Sequence, residues 1–224
     1  MYKTGKYLEN DSMAALICDN YSMLLVMSRF GMPLGVADKS IAEVCQESNV
    51  DANTFLAVVN LLIRQEVGGY KPSIDNLVTK DLVKYLRNSH DYYIKLRLPE
   101  IRTKLVSSLG DDKISMLILQ YFDDYLTQVE KHLYFEEEIV FPYIDELLQG
   151  HQKEGFSIDT FSEKHDHVDR PLNEFKDVII KYYTGDSSDL VSVIHDVLSC
   201  ANDLTSHSLV EDRLLVPLIR KMER

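Results

Sequence analysis

The fold and the candidate site both follow from two stretches, KHLYFEEEIVFP at residues 131–142 and SHSLVEDRLLVP at residues 206–217. Each reads His-x-x-x-Glu followed, after five more residues, by proline, and the second lies 75 residues after the first. The same offset of 75 relates His90 to His165, and aspartate follows both of these histidines. Because four of the seven histidines obey one spacing, the sequence predicts a duplicated pair of helices.

The remainder of the chain has the residue spacing of an all-α protein. Nine glycines and six prolines leave long segments whose apolar residues recur every three or four positions, without the alternation typical of strands. We expect four long helices, at residues 75–109, 112–149, 157–184 and 187–222. Helices of similar length with short connections predict an antiparallel up-down four-helix bundle.

A small helical domain is expected in front of this bundle. Its predicted helices are at residues 11–30, from the Ser40–Glu43 capping box onward, and from Asp51 or Asn53 to about residue 66. Two glycines and a proline between residues 68 and 72 mark a boundary. We therefore predict an N-terminal domain at residues 1–70 and the bundle at residues 75–224.

The repeated histidines and glutamates lie on helix faces that we expect to be buried, since positions three and four apart share one side of a helix. These residues are His90, His132, Glu136, His165, His207 and Glu211. A buried carboxylate must be paired, hydrogen-bonded or bound to metal, and no Lys or Arg shares these faces. Four imidazoles and two carboxylates in a bundle core predict a binuclear metal site. Such donors suit iron, with manganese or zinc as substitutes.

The two glutamates that follow Glu136 are expected to point away from the inward face. Of three consecutive glutamates, only Glu136 shares the inward face, which continues to Ile139. We therefore expect Glu137 and Glu138 on a solvated face. Pro142, like the proline of the second stretch, is expected to kink or end its helix.

The other histidines fall outside the repeat. His167 and His195 lie off the inward faces, and His151 lies beside a glycine in a connection. We expect all three side chains in solvent.

The composition excludes further classes of function. With 24 basic and 36 acidic residues the net charge is −12, which argues against nucleic-acid binding, because phosphate contacts need clustered Lys and Arg. No apolar run approaches the roughly 18–20 residues of a membrane-spanning helix, and the N-terminal sequence does not resemble a signal peptide. We therefore expect a cytoplasmic protein without membrane contact. Three widely spaced cysteines, Cys18, Cys45 and Cys200, argue against a disulfide framework.

At the two His-x-x-x-Glu segments the chain resembles hemerythrin-like domains. With a small helical domain in front, it is most similar to the iron–sulfur cluster repair di-iron proteins. The resemblance is specific over residues 81–224, whereas over residues 1–70 it rests on helix layout and on RFGMPLGVADKSIAEVC. It implies two iron ions held by the four repeated histidines, bridged by the two repeated glutamates and an oxo or hydroxo group. It also implies O₂ or NO as small ligands and damaged iron–sulfur proteins as partners.

The chain departs from the family patterns in two places. Oxygen-carrying hemerythrins use a fifth histidine on the third helix, near which this chain has Phe161 and Asp169. Redox or iron-transfer chemistry is therefore favoured over reversible oxygen carriage. The repair proteins usually carry Cys-Cys-Gly-Gly in the small domain, where this chain has Met-Pro-Leu-Gly at residues 32–35. The resemblance thus gives weak support for a thiol-dependent activity.

Three functions stay open from the sequence. The leading hypothesis is a non-haem di-iron protein that protects or repairs iron–sulfur clusters under oxidative or nitrosative stress, by iron donation or by redox chemistry on NO or O₂. The second is a sensor or storage module for O₂, NO or iron that acts through a partner. The third is a metal-free helical bundle that serves as an interaction protein.

Overall fold

A computed structural model describes residues 6–64, 72–151, 155–164, 169–183 and 188–224. Throughout these residues the regular structure is helical and contains no strand, which confirms the predicted all-α class. A boundary is expected between residues 68 and 72, and residues 68–71 of it lie outside the described residues. The division into domains at 1–70 and 75–224 therefore stays a prediction.

The described helices run along the whole chain. Those of the N-terminal part are α1 (Met13–Asp19), α2 (Met23–Arg29), α3 (Ile41–Glu47) and α4 (Ala52–Arg64). Those that follow are α5 (Thr79–Tyr92), α6 (Leu98–Ser108), α7 (Lys113–Phe135), α8 (Phe141–Leu148), α9 (Ile158–Lys164), α10 (Asp169–Tyr182), α11 (Ser188–Val210) and α12 (Val216–Met222). π-Helical turns lie between some of them, namely π1 (Tyr93–Arg97), π2 (Glu136–Val140) and π3 (Glu211–Leu215). The helices α5–α12 and the three π turns fall within the four long segments expected from the sequence.

The chain divides into two compact units. Unit 1 comprises the described residues of Met1–Ser89, Glu154–Ser162 and Leu209–Arg224, and unit 2 comprises those of His90–Lys153 and Glu163–Ser208. Side-chain contacts join the separate pieces of unit 1: Lys221 Nζ lies 2.7 Å from Asp75 Oδ1, and Glu223 Oε1 accepts from the Ile158 amide at 2.7 Å. The C-terminal residues therefore belong to the same unit as the N-terminal helices.

Caps define the starts of two helices in unit 1. Ser40 Oγ accepts from the Glu43 amide while Glu43 Oε2 accepts from the Ser40 amide, which confirms the capping box at α3. Asp51 Oδ1 accepts from the amide of Thr54 at 2.7 Å and so caps α4.

The helix expected over residues 11–30 is wrong in one respect, because it is broken between α1 and α2. Asn20 has a non-helical backbone, with φ −142°. The Tyr7 hydroxyl donates to Asp19 Oδ2 at 3.1 Å and accepts from Asn20 Nδ2 at 3.4 Å. Asp and Asn are weak helix formers whose side chains favour such local contacts, and these bonds stabilise the turn.

Each of the three π turns precedes a proline, at Pro99, Pro142 and Pro217. Proline has no N–H, and its ring clashes with the carbonyl four residues earlier. The residue before each proline donates instead to the carbonyl five residues back; the pairs are Leu98 to Tyr93, Phe141 to Glu136 and Val216 to Glu211. The interruption expected at Pro142 and Pro217 therefore takes the form of a π turn between two α-helices.

In unit 2, α6, α7, α10 and α11 contribute to one apolar core. The α6 and α7 helices are joined by four residues, and Arg102 donates to both carboxylate oxygens of Asp123 at 2.6 and 2.9 Å, as antiparallel neighbours allow. Fully buried core side chains include Ile101, Phe122, Phe175 and Leu204, each of which stabilises the fold by roughly 1.5–3 kcal/mol.

No helix within the described ranges is both long enough and apolar enough to cross a bilayer.

Candidate metal centre

Unit 2 brings three of the predicted histidines and one predicted glutamate together. His90 lies in the last turn of α5, His132 in the last turn of α7 and His207 in the last turn of α11. Glu136 is the first residue of π2. His90, His207 and Glu136 are buried, and the His132 side chain is 13% exposed. These are four of the six residues that the sequence predicts as metal ligands.

The two oxygens of Glu136 face different imidazoles. His90 Nε2 lies 3.0 Å from Glu136 Oε2, and His132 Nε2 lies 2.9 Å from Glu136 Oε1. The Nε2 atoms of His90 and His207 are 3.3 Å apart. A carboxylate held in this way can offer one oxygen to each of two neighbouring cations.

The second repeat has the same local arrangement. Glu211 is buried and is the first residue of π3, as Glu136 is the first residue of π2. Each glutamate therefore follows a histidine by four residues and begins a π turn. His165, the remaining predicted ligand, lies outside the described residues, as does His167.

Two aromatic rings pack against the imidazoles of His90 and His207. Phe141 stacks on His90, with ring centroids 5.4 Å apart and an interplanar angle of 20°. Tyr93 presents its ring edge-on to His207 at 5.7 Å and 88°. Both aromatic side chains are buried. They restrict the rotation of the imidazoles and keep water from this part of the cluster.

Glu137 was expected to face solvent, but the structure corrects this prediction. Its side chain is one-third exposed, and its Oε1 lies 2.8 Å from His90 Nδ1. A π turn closes its hydrogen bond over five residues, so each residue rotates less about the axis than in an α-helix. Glu137 therefore stays nearer to the side of Glu136. In the sequence, Pro142 indicates this change of direction. The prediction used α-helical spacing throughout and did not include the effect of the proline on the turn before it.

The same turn shifts the inward face beyond Glu136. Ile139, expected inside, is 44% exposed, whereas the next residue, Val140, is fully buried. The exposed positions of Glu138, His151 and His195 agree with the sequence analysis.

The donor set fits a metal cation. Imidazole nitrogen and carboxylate oxygen suit iron, manganese and zinc. Glu136 is buried, and the burial of an ionised carboxylate is costly unless a positive charge or hydrogen bonds compensate it. A cation between Glu136 and the imidazoles would supply that compensation.

Comparison with protein-family models shows to which family the chain belongs. The model of the hemerythrin HHE cation-binding domain matches residues 81–219, which is more than half of the chain. The chain belongs to this family. The HHE match includes every residue of the cluster and Glu211, so the HHE domain and the buried His/Glu cluster together indicate a metal-binding module. Among curated proteins, none matches the chain.

Proposed function

We propose that the HHE domain of this chain is a non-haem di-iron centre. The observation that supports it most is the position of Glu136, a buried carboxylate with a different imidazole at each oxygen. The proposed terminal ligands are His90, His132, His165 and His207, and the proposed bridges are Glu136, Glu211 and an oxo or hydroxo group. The repeated local arrangement of Glu136 and Glu211 supports equal roles for the two carboxylates.

Each part of the site has a separate role in this proposal. Iron held by these residues would supply electron transfer and would bind O₂ or NO. The imidazoles donate neutral nitrogen, and Glu136 brings negative charge that compensates the cations. The rings of Phe141 and Tyr93 exclude water, which strengthens these electrostatic interactions.

We further propose that the centre acts in the cytoplasm to protect or repair iron–sulfur clusters, through iron donation or through redox chemistry on NO or O₂. The HHE match and the helical segment α1–α4 in front of it support this assignment, since both agree with the resemblance to the repair proteins. Two anaerobic assays test it: incubation of the iron-loaded protein and added sulfide with an apo iron–sulfur protein, and incubation of the reduced iron-loaded protein with NO. Cluster assembly or NO consumption supports the role, and absence of both contradicts it.

The first experiment is the metal content of protein purified without chelator, with the ultraviolet–visible spectrum before and after reduction. We expect about two irons per chain and near-ultraviolet absorption of an oxo bridge that bleaches on reduction. Glu136→Ala should lose iron because it removes a bridge, whereas Glu138→Ala removes an equal charge from an exposed position and should keep it. No metal as purified, together with no uptake of ferrous iron, would overturn the di-iron proposal.

A further inference from the structure

His90 is held on three sides by neighbours in unit 2. Its Nδ1 lies 2.8 Å from Glu137 Oε1, and its Nε2 lies 3.0 Å from Glu136 Oε2. The ring of Phe141 stacks on its face. The two nitrogens of one imidazole thus face two consecutive glutamates, one partly exposed and one buried.

The chemistry of this contact assigns the ring proton. An ionised carboxylate only accepts hydrogen bonds, so the proton between His90 and Glu137 lies on His90 Nδ1. A neutral imidazole protonated at Nδ1 carries its lone pair on Nε2. That atom faces Glu136 and lies 3.3 Å from His207 Nε2. With a cation between His90 Nε2 and Glu136 in place of a second ring proton, the contact with Glu137 selects the tautomer that binds metal from the cluster side.

We propose that Glu137 is a positioning residue that fixes the tautomer and orientation of His90 for metal binding. The inference rests on the proposed metal centre and adds a residue to it that is not itself a ligand. A carboxylate that accepts the second N–H of a ligating histidine fixes the ring and raises the basicity of the ligating nitrogen.

The backbone explains why this residue reaches His90. Glu136 and Glu137 are the first two residues of π2, in which the Phe141 amide donates to the carbonyl of Glu136. Pro142 favours that bond because it disrupts regular α-helical bonding at this position. Glu138, the next acid, is exposed and provides a matched control.

Anaerobic titration with ferrous iron against a competing chelator tests the proposal. We expect Glu137→Ala to bind iron about 10–100-fold more weakly than the wild type, the range found when such supporting groups are removed. Glu137→Gln should recover part of the loss, because its amide oxygen still accepts from Nδ1 without carrying charge. Glu138→Ala and Glu138→Gln should bind as the wild type does.

A second readout separates positioning from a general effect on folding. In the zinc-loaded protein, the His90 Nδ1 proton should give a slowly exchanging NMR signal in the wild type and in Glu138→Ala, assigned by its loss in His90→Gln. The signal should be absent in Glu137→Ala. Thermal unfolding of the metal-free variants should be similar, since the Glu137 side chain is one-third exposed.

The outcomes distinguish the two proposals. If the wild type binds iron and the Glu137 variants match the Glu138 controls in affinity and in the His90 signal, the positioning role is overturned while the metal centre stands. If the wild type binds neither iron nor zinc, the metal centre fails and the positioning role fails with it.

Discussion

Burial of a carboxylate requires compensation, and Glu136 shows how the neighbouring residues are arranged for it. Its oxygens lie 3.0 and 2.9 Å from His90 and His132, and aromatic rings line the histidine cluster. Because apolar side chains surround these polar groups, the free energy of the folded state depends on whether a cation lies between them. Metal binding should therefore be visible as a change in stability of the whole chain.

A pair of histidines on α11 tests this expectation at single-residue level. At free ferrous iron about 100-fold above its dissociation constant, binding should stabilise the native protein by about 2.7 kcal/mol. His207→Ala removes a buried imidazole of the cluster and should lose this stabilisation, whereas His195→Ala removes an exposed imidazole and should retain it. Denaturant unfolding with and without iron measures both. An unchanged iron effect in His207→Ala would exclude it as a ligand.

At the level of elements, the π turns explain both the success and the errors of the sequence analysis. The helical period places Tyr125, Val129 and Glu136 on the buried face as expected. Beyond Glu136 the α period no longer applies, so Ile139 is exposed and Glu137 contacts His90. Local spacing predicts a side chain's direction only while the backbone hydrogen-bonding pattern stays constant.

The break between α1 and α2 has a different origin. It is stabilised by Tyr7, which contacts Asp19 and Asn20 from outside the helix. The spacing of apolar residues along a helix does not indicate a contact between residues that are 12 or 13 positions apart. The prediction of candidate ligands, in contrast, does not depend on the turn geometry, because the repeat uses only spacing and residue type.

The π2 turn can be tested through its proline. In Pro142→Ala the steric conflict is removed, and regular α-helical bonding becomes available across residues 136–142. We expect Glu137 to rotate away from His90 and ferrous iron affinity to fall about 10-fold or more, although no ligand is changed. Because the extra residue stays in the chain, this bonding would turn α8 by about 100° from its present register, and the metal-free protein should lose stability. Pro33→Ala, at an exposed loop position, is the control; equal affinities in the two variants would contradict this role of the turn.

At the scale of the whole molecule, the net charge of −12 reflects an excess of carboxylates. Acid protonates these carboxylates and so weakens the ion pairs that they form in the folded state. One of them lies inside unit 2, where Asp196 of α11 accepts from Arg97 Nη2 at 3.0 Å and from Lys104 Nζ at 2.8 Å. Burial by itself raises the pKa of Asp196, but the hydrogen bonds from Lys104 and Arg97 outweigh it, and the pKa is lowered. The network joins π1 and α6 to α11.

Because the folded-state pKa of Asp196 is lowered, its contribution is complete above the unfolded-state pKa of about 3.9 and is lost as the pH falls through the folded-state value. We expect Asp196→Asn to lower the free energy of unfolding by about 1–3 kcal/mol at neutral pH. The difference from the wild type should shrink as the solution is acidified below pH 4. Urea unfolding across that range measures it, and a difference that is constant with pH would contradict the assignment.

A π turn contains one residue more than an α-helix needs to span the same length, so each of these junctions behaves as a one-residue insertion inside a helix. A single deletion within residues 137–140 would return the junction to α geometry and leave α8 in its present register. The packed core would then be preserved while the acids beside His90 changed direction. At these junctions, chain length becomes a means to alter the candidate metal centre separately from the fold, even when every ligand is retained.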